Sequence, residues 1–110
     1  MTIRQTGFLK DSVGQYIVKD PHAELQYGVD WKQWLELGDA VTTATWVVET
    51  VSTGTTLTAS GNSILDGVAL TTLVGGDPGS IYTVANTVTT DQGYIDTRRF
   101  RVRVENRFIL

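Results

Sequence analysis

A chain of 110 residues with 41% hydrophobic and 19% charged residues carries enough apolar material to close one core and too little length for a second domain, which excludes a disordered polymer. Its formal charge of -3 excludes broad electrostatic capture of DNA or RNA. The absence of cysteine excludes disulfides, thiolate metal sites and a cysteine nucleophile. Met1 to Lys10 holds charges and a glycine where a secretory leader would be continuously apolar, and no later run is long enough to span a bilayer, so a cytoplasmic setting without membrane contact is expected.

Residues 1–20 mix polar residues, glycines and isolated apolar ones without a sustained period, which predicts an extended N-terminal arm. Asp20-Pro21 then breaks the chain. From Ala23 to Trp31 the side chains alternate, with Ala23, Leu25, Tyr27, Val29 and Trp31 on one face of a half-buried strand. Asp30 can cap a short helical turn in which Trp31, Trp34 and Leu35 share a face and plug one end of the fold.

Val41 to Val51 reads as a strand with Ala44, Trp46 and Val48 on one face. Turn signals at Thr53-Gly54-Thr55 and Ser60-Gly61-Asn62 leave room for one short strand around Thr56 to Ala59 and another at Ser63 to Leu65. Strands at Val68 to Val74 and Ile81 to Thr90 flank the turn Gly75-Gly76-Asp77-Pro78-Gly79, with Tyr82, Val84 and Val88 inward. After Asp91-Gln92-Gly93, the segment Tyr94 to Val104 sets Phe100, Val102 and Val104 against Arg99, Arg101 and Arg103.

This spacing of short strands and turns predicts an all-β fold, an immunoglobulin-like antiparallel β-sandwich of about seven strands over residues 21–105, with an apolar tail at 106–110. Trp46 takes the place of a core tryptophan. Tyr82 opens the penultimate strand just after a glycine-rich corner, as a tyrosine corner would.

No catalytic group stands out. The sole histidine, His22, lies in a connecting segment, no nucleophile elbow occurs, and the aspartates fall at turns without calcium-loop spacing. The glycines at 75–79 lack the lysine and helix of a phosphate loop. No metal and no cofactor are therefore expected. Trp31, Trp34, Trp46 and Tyr27 suit either core packing or a sugar platform, with Trp34 the best candidate for the surface.

The charge distribution is more informative. Five of the nine basic residues fall in the last thirteen positions. Arg99, Arg101 and Arg103 on one strand face would stand about 7 Å apart and repel unless acids face them, either from this chain, such as Glu49, or from a partner. Phe108, Ile109 and Leu110 form an apolar tail that a neighbouring subunit could cover. Together with Phe8 and Trp34, these are the expected partner-binding residues.

The stretch from Lys19 to Leu35, in which Lys19-Asp20-Pro21, Leu25, Tyr27, Asp30-Trp31, Trp34 and Leu35 carry the pattern, continues to Gly38-Asp39 and Thr45-Trp46. It resembles the opening of small structural proteins of tailed bacteriophages. Gly75-Gly76, Tyr82-Thr83-Val84, Asn86, Thr89-Thr90 and the arginine-rich last strand extend the likeness over roughly residues 19–104. The resemblance implies a non-enzymatic virion protein assembled in the host bacterial cytoplasm, of the fibre-to-tail adaptor type. It would join tail fibres to the tail tube through contacts with other virion proteins, in multiple copies per particle. Capsid decoration and carbohydrate binding are the alternative readings, since sandwiches serve all three.

Overall fold

The computed structural model describes residues 9–10, 15–49 and 57–107. Its alternating β-branched and aromatic segments form β1 (Leu9–Lys10), β2 (Gln15–Lys19), β3 (Glu24–Asp30), β4 (Val41–Val48), β5 (Leu57–Leu65), β6 (Val68–Gly75), β7 (Ile81–Thr90) and β8 (Ile95–Val104). These strands make a five-stranded sheet, β1-β2-β8-β7-β4, and a three-stranded sheet, β3-β6-β5. The two sheets share a core, so the fold is the expected all-β sandwich.

Part of the segment read as an arm is a strand of the sheet. β2 runs parallel to β8, pairing Tyr16 with Arg101 and Val18 with Arg103, and it buries Ile17 and Lys19. A five-residue strand with a lysine at an inward position shows no apolar period, which is why the sequence conceals it. Lys19 is 1% exposed. Its ammonium donates to the carbonyls of Asp20 and Gly75, both at 2.9 Å, and the second bond ties the five-stranded sheet to β6 of the other. Burial pulls its pKa below the ordinary lysine value, against the raising effect of the Asp20 and Glu24 carboxylates.

Ser60-Gly61-Asn62, read as a turn between two short strands, is instead an irregularity inside one strand. β5 runs through it, and the register against β6 shifts between Ser60 and Ser63. Gly61 takes the φ of +78° that the irregularity requires. The Thr71 hydroxyl donates to the Ser60 and Gly61 carbonyls, while the Asn62 amide donates to the Ala44 carbonyl on β4.

The core has two centres. Tyr27, Leu57, Leu73, Tyr82, Val84 and Val102 meet in one, where the Tyr82 hydroxyl accepts the Asp77 N–H at 2.9 Å. Trp31, Ala44, Ala69 and Val88 meet in the other. The fully buried tryptophan is Trp31, at 0% exposure. Trp46, expected as the core tryptophan, is half-buried and packs against both centres. Tyr27 and Trp31 lie inside, so they cannot join a sugar-stacking platform.

Trp31 reaches across the sandwich. Its indole N–H donates to the Asn86 side-chain oxygen at 2.8 Å, and the Asn86 amide donates to the Thr45 carbonyl at 3.1 Å. Asn86 is fully buried, so its removal strands a donor in a dry core. Asn86→Ala is expected to cost about 1–3 kcal/mol in urea denaturation. Adding Trp31→Phe should cost less in that background than alone, because the partner is already gone.

Candidate functional site

Period-two alternation in β8 turns Phe100, Val102 and Val104 into the core and leaves Arg99, Arg101 and Arg103 on the outer face of the five-stranded sheet. Register supplies their neighbours. Arg103 stands opposite Ile81 and Val18, Arg101 opposite Thr83 and Tyr16, and Arg99 opposite Ala85, which in turn pairs with Val47. Val47 and Ile81 are both about half exposed. The result is a face of arginine, tyrosine and aliphatic residues, a composition enriched where proteins dock.

Repulsion along the row is relieved within the chain. Arg99 grips the Glu49 carboxylate with two bonds of 2.8 and 3.2 Å, and this hydrogen bonding and charge hold the guanidinium pKa above its ordinary value. Arg103 donates to Glu105 at 2.9 Å. The Arg101 and Arg103 guanidiniums lie 5.5 and 5.6 Å from the centre of the Tyr16 ring, within range of its π face. Glu49 is the counterion the sequence offered. Tyr16 and Glu105 were not singled out there, Tyr16 because its strand carries no periodic signal.

Arg98 does not belong to the stripe. One residue out of phase, it lies 4.2 Å above the Trp31 ring and donates to the Asp30 carbonyl, closing the core at that pole. Trp34 lies at the same pole, with its ring edge-on to Trp31 at 5.1 Å. Phe8, Phe108, Ile109 and Leu110 lie outside the described residues. His22 is exposed in the turn after β2, 3.5 Å from the Asp20 carboxylate. Among the described residues no three metal-ligating side chains come together.

A family model described as podophage GP4 fiber-tail adaptor protein gp77 matches residues 19–103. No curated protein matches the chain. The matched span runs from the buried lysine of β2 to the last arginine of the stripe.

The pole that carries Trp34 is organised by two aspartates. Asp30 caps the helical turn by accepting the Lys32 N–H at 2.9 Å, and Trp34 and Leu35 both donate back to the Trp31 carbonyl. Asp39 accepts the N–H groups of Ala40 and Gln92 at 2.8 and 3.1 Å, which joins this turn to the one between β7 and β8. Burial raises the Asp39 pKa, but the Thr90 hydroxyl and the backbone N–H groups outweigh it, and the carboxyl titrates below the ordinary aspartate value.

A carboxyl depressed in the folded state contributes its full stability above the unfolded pKa of about 3.9 and loses it as pH falls through the folded value. Asp20 and Asp30 are depressed as well. Thermal melts are therefore expected to fall steeply below about pH 4. Asp39→Asn should lower the melting temperature at neutral pH and make the acid limb shallower.

Proposed function

Because the chain belongs to the podophage fibre-tail adaptor family, we propose that it is a non-enzymatic adaptor that joins tail fibres to the tail tube by protein-protein contacts. Membership makes it a structural component of phage particles. In this role it acts in the tail, in multiple copies, after assembly in the host bacterial cytoplasm. The observation that carries it is the match over residues 19–103, three quarters or more of the chain.

The outer face of the five-stranded sheet is the docking surface in this reading. Exposed ion pairs contribute little to stability because water competes with them. Arg99 and Arg103 can exchange Glu49 and Glu105 for carboxylates of a partner at small cost to the fold. Burial against that partner would then strengthen the new pairs. Val47, Ile81 and the Tyr16 ring supply apolar area between the charges. Trp34, packed against Trp31, is a second contact. Phe8 and residues 108–110 are assembly arms in this proposal.

The test is incorporation. Arg101→Glu places a carboxylate in the middle of the row without touching the core. It should leave the denaturation midpoint close to that of the parent chain and reduce recovery of the tagged chain with purified tails by about tenfold or more. Unchanged recovery would remove the arginine face from the proposal. Fully fibred particles made without the chain would remove the adaptor role itself.

A further inference from the structure

Two features at opposite poles of the sandwich are not used by the arginine face. At one pole, the turns after β3 and between β5 and β6 enclose an open groove of about 480 Å³. Leu35, Val41 and Ile64 line it, as does Leu37, a leucine left 101% exposed. Grouped on one groove, these apolar side chains form the kind of contiguous patch that marks a binding surface. The charged groups around it are Glu36, Asp39 and Asp66 against Lys32 alone, and the Lys32 ammonium is already paired with Asp30 at 3.1 Å. The groove therefore suits an apolar segment that carries a positive charge.

The chain contains one, Arg107-Phe108-Ile109-Leu110. Its root is fixed at the other pole. The Glu105 N–H donates to the Lys19 carbonyl at 2.9 Å, and the Arg107 N–H donates to the Asp20 carboxylate at 3.0 Å. The Arg107 guanidinium donates to the Val18 carbonyl, a neutral acceptor, which leaves its charge available to a carboxylate. β3, which begins near Asp20 and ends at the groove's turn, has seven residues, and at about 3.3 Å each they separate the two poles by roughly 20 Å. The three residues after Arg107 reach about 11 Å at most. The segment cannot fill the groove of its own chain, but it can fill that of a neighbour.

We propose that residues 107–110 of one copy dock in the acidic-rimmed groove of a second copy, linking copies head to tail. Phe108, Ile109 and Leu110 lie against Leu35, Leu37 and Ile64, and Arg107 faces Glu36 and Asp66. This contact is heterologous, so each added copy presents a fresh groove or tail, and the series grows or closes into a ring. It uses neither Arg99, Arg101 nor Arg103, and so stands or falls apart from the proposed partner face.

The test is sedimentation of the full chain over a range of concentrations, beside a variant lacking residues 108–110 and a Leu37→Lys variant. Leu37 is fully exposed, so its replacement leaves the core alone. The full chain is expected to form species larger than a dimer, and each variant to associate about tenfold or more weakly, given the apolar side chains withdrawn from the contact. Mixing the two variants should produce a 1:1 pair and nothing larger, because together they hold one intact tail and one intact groove. A full chain that stays monomeric, association that survives the deletion, or variants that fail to pair on mixing would each overturn the proposal.

Discussion

The buried bond from the Trp31 indole to Asn86, and from Asn86 on to the Thr45 carbonyl, is the constraint on which the rest of the molecule depends. It joins the end of β3, in the smaller sheet, to β7 and β4 in the larger one, and so sets where the sheets lie relative to each other. A polar link in a dry core holds only one geometry, since any shift leaves a donor or acceptor unpaired. Arg98 completes it by stacking on the Trp31 ring and bonding the Asp30 carbonyl. The first residues of β8 are thereby anchored, and the outward phase of Arg99, Arg101 and Arg103 follows from that anchor.

Lys19 provides a corresponding link at the other pole. Its bonds to the Asp20 and Gly75 carbonyls satisfy a charge that burial would otherwise penalise, and the second ties β2 to β6 across the sandwich. Without β2 the arginine row would lose Tyr16, whose ring lies under two of its guanidiniums. The proposed partner surface is thus assembled from four strands, although its most visible residues come from one. The chain's few strong polar interactions are buried, and its exposed ion pairs are the weak, exchangeable kind. That division suits a connector, which must keep its shape while trading its own salt bridges for a partner's.

Much of this was legible in the sequence because it rests on period two. The alternations in β3, β7 and β8 name the core faces of Tyr27, Val84 and Phe100 and the outward arginines directly. Three things were hidden. β2 carries a buried lysine where the pattern asks for an apolar residue. β5 carries a glycine-containing irregularity that imitates a turn. The choice between Trp31 and Trp46 as the central tryptophan depended on a partner, Asn86, which lies 55 positions away in the chain. Local pattern cannot report such pairs, and the same holds for the groove, whose walls come from separate turns.

The most direct measurement is an electron cryomicroscopy map of tails that contain the chain, read at the outer face of the five-stranded sheet. A neighbouring protein is expected to pack over Tyr16, Val47, Ile81 and Arg101, with acidic side chains against the arginines. A map in which that face is open to solvent, with every contact made elsewhere on the sandwich, would contradict it.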